Sequence, residues 1–344
     1  MTTTALFVGT FAVLLVAQWG FIAIFLLLGS RWAKIPNVTI RRALWATIAI
    51  IAVNAVGLIP AIMLDQIPVS VLWQAVLIMV MQVVISLGLT WLVIALVFKA
   101  SLWRAALAWL PTLIPTVGFA LLAVFVIRPY LFEAFKIPTN SMAPIIIGQH
   151  WEAPCPRCGS PAYATPEVDH GTPSNRPVLM ICSRERRSCE VVDLPRVEYP
   201  GDRLVVTKFI RPQRWDIIVF RWPENPKITY CFRLVGLPGE TAVIRNGAIW
   251  INGEKQAPPD SCAGLEYLAQ VDGWPDTLWG SEAKPAPLGP DEYFVLGDFS
   301  ARAKDSRLWR QGAPDHPPYA VPASNIVGVV THIYWPPNRW CVLR

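Results

Sequence analysis

Ser141 lies in the run Ile137-Pro-Thr-Asn-Ser-Met-Ala-Pro144, nine residues after Arg128, where the last long apolar stretch of the chain ends. A hydroxyl flanked by Pro138 and Pro144 and held beside a bilayer is a candidate nucleophile. It needs a neighbouring base, because serine is a weak nucleophile at its free pKa. The competing reading is a turn residue kept for the packing of its loop. A second chemical signal follows at once: Cys155-Pro-Arg-Cys158-Gly, then Cys182 and Cys189, spaced C-x2-C, 23 residues, C-x6-C. A C-x2-C-G turn lets two thiolates converge on one tetrahedral zinc, and a second pair would complete the four ligands of a zinc ribbon. Six residues between the second pair exceed the usual spacing, and two disulfides remain the alternative in an oxidising compartment. Cys231, Cys262 and Cys341 have no such spacing and read as buried small hydrophobes.

The elements that must position these groups begin with a membrane region. With 344 residues, 53% of them hydrophobic, and mean hydropathy +0.40, the chain is too apolar for an ordinary soluble protein. The excess lies in four runs, 4–29, 43–64, 70–98 and 105–127. Each can cross about 30 Å of hydrocarbon as a helix rising about 1.5 Å per residue. We read residues 1–128 as a four-helix transmembrane region. The first run has no charged flank before it and, at 26 residues, is too long for a cleavable signal. Arg31, Lys34, Arg41 and Arg42 mark the first loop, Asp65 the second, and Lys99 and Arg104 the third. The positive-inside rule makes the first and third loops cytoplasmic, so the expectation is a multi-pass inner-membrane protein with both its N-terminus and everything after Arg128 outside.

Residues 1–128 hold seven Lys and Arg and one acid, which leaves 23 basic and 23 acidic residues in the remainder. The pI near 9.0 is therefore a topology signal. No basic, aromatic-interleaved stripe argues for nucleic acid. Residues 149–198, rich in Cys, Pro and Arg, read as an inserted zinc-ribbon-like module within a β domain made of 129–148 and 199–344. Strand-like runs cover 203–208, 216–221, 228–235, 242–245, 248–251, 293–296 and 326–334. Asn246-Gly247 and Asn252-Gly253 are hairpin turns, since both residue types tolerate positive φ. A Pro-rich loop spans about 257–290.

Four stretches in order carry a family resemblance. They are Ile137-Pro-Thr-Asn-Ser-Met-Ala-Pro144; Tyr199-Pro-Gly-Asp-Arg-Leu-Val-Val-Thr-Lys-Phe209; Arg214-Trp-Asp-Ile-Ile-Val-Phe220, running on to Arg233-Leu-Val-Gly-Leu-Pro-Gly239; and Leu296-Gly-Asp-Phe-Ser-Ala-Arg-Ala-Lys-Asp-Ser-Arg307. Together they resemble signal peptidase I, the membrane-bound serine endopeptidase that removes signal peptides from exported preproteins after small residues. The resemblance covers about 136–148 and 199–340. It implies a mainly-β extracytoplasmic domain, preproteins and the bilayer as partners, and no cofactor for catalysis. It makes Ser141 the nucleophile and Thr139 an oxyanion-hole hydroxyl, with a lysine as general base, desolvated so that its pKa falls toward neutrality. Here the lysine position holds Phe232, and the position of the serine that orients the lysine holds Ala303. Phe299 also replaces a usual asparagine. A phenyl ring accepts no proton, so the resemblance implies either an impaired peptidase or a homologue that binds signal or transmembrane segments without cutting them.

Lys227 precedes Phe232 by an odd offset and faces the other side of a strand. Lys304, His150 and His332 fall in no matching base position, though histidine is the commonest general base and His150 or His332 is the alternative as a displaced base for Ser141. Asp305 and Arg307 fit a structural ion pair near the site, and Asp202, Asp216 and Asp298 read as turn or capping carboxylates. Nothing in the sequence fixes the oligomeric state.

Overall fold

A computed structural model of the chain describes residues 3–36, 38–64, 72–166, 176–192 and 194–343, apart from 272 and 276. It divides into two units, Met1–Ile127 and Arg128–Arg344, each built on its own core. In the first, α1 (Thr3–Trp32), α2 (Ile40–Leu64) and α3 (Leu72–Phe98) follow the first three apolar runs. Asp65 and residues 70–71, assigned above to a loop and to the start of the third run, lie outside the described residues.

The fourth run departs from one regular helix over 105–127. It forms α4 (Leu102–Trp109), a 3-10 turn at Leu110–Thr112, α5 (Leu113–Leu122) and a π-helical end at Ala123–Leu131. Pro111 and Pro115 remove amide donors near the break, which interrupts the regular hydrogen-bond ladder. Arg104 sits inside α4 and so is no loop residue. Among the described residues, three helical segments are long and apolar enough to cross a membrane: Ala12–Trp32, Val80–Phe98 and Leu102–Leu131. Close approach holds the bundle together: a Cβ added at Gly29 of α1 would lie 2.2 Å from the carbonyl oxygen of Ala108 in α4.

The second unit is mainly β. It opens with β1 (Phe132–Lys136). The Cys-rich segment then supplies β2 (Trp151–Pro154), β3 (Pro161–Ala164), β4 (Val178–Cys182) and β5 (Ser188–Val191), which form an antiparallel meander of their own. The chain continues through β6 (Arg203–Thr207), β7 (Ile217–Trp222), β8 (Asn225–Gly236), β9 (Thr241–Arg245), β10 (Ala248–Ile251) and β11 (Glu254–Lys255). The last strands are β12 (Ala286–Pro287), β13 (Glu292–Leu296), β14 (Val321–Pro322), β15 (Ile326–Trp335) and β16 (Cys341–Val342). The large sheet runs β1-β6-β15-β7-β8-β13-β14, with β16 on β15, and a small sheet runs β11-β10-β9-β12.

Both expected hairpin turns form: Asn246 and Gly247 take φ 49° and 74°, Asn252 and Gly253 take 51° and 86°. Alternating apolar residues of the large sheet meet Met142, Ile146 and Trp309 in one core. The Cys-rich module leaves and rejoins this domain at a two-bond bridge, His150 N–H to Tyr199 O at 3.1 Å and Tyr199 N–H to His150 O at 2.8 Å.

Candidate functional site

The loop carrying Ser141 is clamped from three directions, each by a residue of the quoted motifs. Gly201 and Gly148 admit close backbone approach: a Cβ at Gly201 would lie 2.3 Å from Ile137 O and 2.6 Å from Gly148 C, and at Gly148 it would lie 2.2 Å from Thr139 O. Any side chain at either position would collide with backbone. Asp202 follows Gly201 and is 1% exposed. Its carboxylate accepts from Ile147 N–H at 2.8 Å and from the Arg339 guanidinium at 2.7 and 2.9 Å. It is thus a buried anchor of the loop, which corrects its reading as a turn carboxylate. Its partner Arg339 lies 137 residues away in the chain, beyond local pattern reading.

The third direction is the stretch 297–307. Phe299 N–H donates to Ser141 O at 3.0 Å, and Ala303 N–H to Phe299 O at 3.0 Å. Gly297 is where the candidate groups meet: a Cβ built there would lie 2.2 Å from the Ala303 methyl, 2.7 Å from Ser141 O and 3.2 Å from Cε1 of Phe232. The structure therefore gathers Ser141, Phe232 and Ala303 around one glycine. Ser141 and Thr139 are half-buried, whereas Phe232 and Ala303 are 4% and 0% exposed. Phe232 belongs to an aromatic cluster. Its ring is centred 6.1 Å from Phe220 and 5.7 Å from Tyr230; Trp309 packs 5.9 Å from Phe220 and Trp222 5.2 Å from Tyr230. Lys227 and Lys304 are exposed.

Two buried ion pairs hold this stretch in place. Arg307 and Asp305, both 0% exposed at the side chain, meet at 2.7 and 2.8 Å; the same carboxylate accepts from Gly297 N–H at 2.9 Å, and Arg307 also donates to Ser300 Oγ and O and to Leu268 O. Ser306 Oγ accepts from Val295 N–H on β13. The second pair corrects the reading of Asp298 as a turn carboxylate. Arg233 grips it with two bonds of 2.7 and 2.6 Å, and Tyr267 O–H donates to it at 3.1 Å. Burial works against the Arg233 charge, yet the Asp298 carboxylate holds its pKa above the ordinary value. Burial, with the Asp298 charge beside it, also raises Tyr267 well above the usual phenol range. Asp216 does cap a turn, accepting from Gln213 N–H at 2.7 Å.

His150 lies in the loop's support. Its Nδ1 is 2.8 Å from Gly148 O, its ring stacks on Tyr199 at 5.6 Å, and burial lowers its pKa. His332 lies in β15, with Nδ1 2.9 Å from Thr331 Oγ1.

In the Cys-rich module the sulfurs of Cys155, Cys158 and Cys182 all lie within 4.8 Å of one another. Cys158 and Cys182 Sγ are 3.4 Å apart, where a disulfide requires about 2.05 Å. Four sulfurs at about 2.3 Å from a zinc stand about 3.8 Å from each other, so the trio has the spacing of a thiolate metal site. Both turns that present them repeat one geometry. Gly159 N–H donates to Cys155 O with Gly159 at φ 70°, and Arg186 N–H donates to Cys182 O with Arg186 at φ 57°. The six-residue gap is absorbed by this second turn, which returns the chain so that Cys189 pairs with Met180. Cys189 interacts with Cys155 but stands outside the tight trio. Burial opposes the Cys155 thiolate, but N–H groups of Arg157 and Cys158 and the neighbouring thiols bring its pKa down to about 7. Of the other cysteines, Cys262 is buried and Cys231 and Cys341 are half-buried.

Known proteins resemble this chain, and the family match lies in the β domain after the Cys-rich module. The family profile described as "Signal peptidase, peptidase S26" matches residues 195–335. "Signal peptidase I" of Leptolyngbya laminosa is 36% identical over 157 residues, 42% of this chain and 66% of that protein. A Synechocystis sp. protein named "Probable signal peptidase I-1" is 30% identical over 159 residues, 43% of this chain and 68% of its own length. "Signal peptidase I" of Pseudomonas aeruginosa is 28% identical over 235 residues, 63% and 70% respectively. This chain thus spans about two thirds of the length of these relatives. A crystal structure of a signal peptidase I from Enterococcus faecalis is 32% identical and covers 36% of this chain and 98% of its own, with a TM-score of 0.27.

Proposed function

This chain belongs to the signal peptidase I family, and on that premise we propose that its β domain engages the signal peptides of exported preproteins but cleaves them poorly. One observation carries the reading: Phe232 and Ala303 lie beside Ser141 at Gly297, inside an apolar aromatic cluster. In this reading Ser141 is the nucleophile and Thr139 the oxyanion-hole hydroxyl. Phe232 stands in the place of the lysine base and Ala303 in that of its orienting serine, while Asp305 and Arg307 are structural. Loss of a catalytic Ser or His in subtilisin lowers kcat by roughly 10⁶, which scales what a missing base costs. A buried phenylalanine at the base position also admits a second reading, retention of extended segments by strand addition without cutting. Protein purified in detergent and mixed with a preprotein separates the two. Cleavage abolished by Ser141→Ala would remove the binding-only reading; stable capture without cleavage would remove the peptidase.

The same proposal includes one structural zinc held by Cys155, Cys158, Cys182 and Cys189, supported by the sulfur spacing and the paired turns. Metal analysis should give about one zinc per chain; none, with Cys155 and Cys158 in disulfides, would reject it. For the membrane region we propose four spans with the N-terminus and β domain outside, resting on the distribution of Lys and Arg. Cysteine labelling from either side of sealed vesicles tests that orientation.

A further inference from the structure

Asn140, the residue before Ser141, is 0% exposed and joins the nucleophile loop to the Cys-rich module. Its amide is fully used: Nδ2 donates to Ala164 O at 2.8 Å and to Gln149 O at 2.9 Å, and Oδ1 accepts from Gly148 N–H at 2.8 Å. Its backbone N–H donates to Thr165 Oγ1 at 3.3 Å. Ala164 ends β3, and Thr165 follows it. Beside this polar link, Ala143 and Ile147 of the loop form one buried cluster with Tyr163 of β3, Ile181 of β4 and Phe299. Tyr163 pairs across the strands with Ile181, and Ala162 with Cys182. The thiol cluster is therefore one strand pairing away from the groups that hold Ser141.

Among the described residues, besides buried Trp151 and the Tyr163–Ile181 packing, the module's own core is small. Its buried core is Ala153, Cys155, Ala162, Ala164, Val178, Met180, Cys182 and Cys189, three alanines and three thiols among eight side chains. So small an apolar core supplies little stability, and modules of this kind derive their folding energy from a metal.

We propose that the module is a metal-dependent strut for the Ser141 loop, in which zinc bound by the thiols orders β3 and β3 fixes the loop through Asn140 and the Tyr163–Ile147 packing. The proposal rests on the zinc reading above and adds to it a coupling between two places in the chain. Zinc removal releases the Ala164 and Thr165 acceptors, and Asn140 then keeps only its partners within its own loop. A buried amide that loses a partner is destabilising, so the loop opens more often.

The test uses the full chain in detergent, with zinc counted by metal analysis and amide hydrogen exchange followed by mass spectrometry. Stripping zinc with a chelator should raise exchange about tenfold or more in 139–148 as well as in 161–164 and 178–182, leave 217–222 in the main sheet unchanged, and reverse when zinc is restored. In Asn140→Ala the metal should still bind and protect the module, while loop exchange is high with or without it. Absence of zinc from the untreated chain overturns the zinc reading and the strut together. Zinc present, with loop exchange indifferent to its removal, overturns the strut alone. Should stripping unfold the whole β domain, zinc-loaded Asn140→Ala decides: a loop as protected as in the unmodified chain refutes the strut.

Discussion

Replacing Phe232 by lysine and Ala303 by serine would return to the site the two groups that the proposed reading finds missing, and the structure sets what the new amine would meet. Phe232 is 4% exposed, with the Phe220 and Tyr230 rings centred 6.1 and 5.7 Å away. Desolvation there disfavours the ammonium and drives its pKa down from about 10.4. Holding the amine half-neutral at pH 7 requires a fall of about 3.4 units, a cost of about 4.6 kcal/mol. Lost phenyl packing adds to this, less than the about 3–5 kcal/mol of a Phe→Ala change because the lysine stem refills part of the space. The sum of about 6 kcal/mol is comparable to the whole stability of a modest domain, so folding of the variant must be verified by circular dichroism first. The pH dependence has a fixed sign. With the folded pKa below the unfolded one, the unfolded state carries the extra proton between them, and stability relative to the parent rises with pH from about 7 to about 10. A positioned base contributes about 10²–10⁴-fold, so preprotein cleavage should rise at least about 100-fold and increase as the amine deprotonates. The assay is gel separation with mass spectrometry of the new N-terminus, with Ser141→Ala added as the control. A folded double variant that cleaves within about threefold of the unmodified chain, where a base should give about 10²-fold, would refute the reasoning.

Asp305→Asn leaves Arg307 charged and unmatched in a fully buried position, and should destabilise the β domain by about 3–5 kcal/mol in a denaturant titration. Gly297→Ala drives a methyl to 2.2 Å from Ala303 Cβ and 2.7 Å from Ser141 O, so a loss of about 1–3 kcal/mol or more is expected, whereas Gly118→Ala, with nothing within 4 Å, should be near neutral. Burial lowers the pKa of both His150 and His332 below 6.5, so the folded state holds fewer protons than the unfolded one and stability should fall as pH drops below 6.5. His150→Phe, which keeps a ring against Tyr199, should make that fall shallower in melts between pH 7 and 5.

What the sequence disclosed follows the range over which its signals act. Seven strands from 203 onward were legible because apolar alternation and the Asn-Gly turns are local, with bounds within three residues of those expected, whereas the two-residue strands β11, β12, β14 and β16 are too short to register. The strand Phe132–Lys136 was not read, since it continues an apolar run with no turn before it. Its pairing with β6 comes from 67–75 residues downstream. The module's strands are four or five residues long and broken by Cys, Pro and Arg, too short for a period to register. Within the site, motif order placed Ser141, Phe232 and Ala303 in one neighbourhood, and the geometry at Gly297 has them together. The work of Asp202, Asp298 and Asn140 was hidden because their partners lie 137, 65 and 24 residues away in the chain.

The pattern of kept and altered motif residues has a physical logic. A desolvated lysine weighs against the fold by about 4.6 kcal/mol at neutral pH, and a phenylalanine in the same apolar cluster removes that penalty and adds burial. Losing one member of a buried ion pair instead costs about 3–5 kcal/mol. Gly201, Asp202, Arg233, Asp298, Asp305 and Arg307 all do backbone work here: close approach, loop anchoring, or fixing the turn at Gly297. On the proposed reading, the base position is one where an apolar replacement stabilises, and the scaffold residues are those whose replacement unfolds. Similarity across these motifs therefore reports the architecture that surrounds Ser141. In the proposed reading, the capacity to cleave is set at positions 232 and 303.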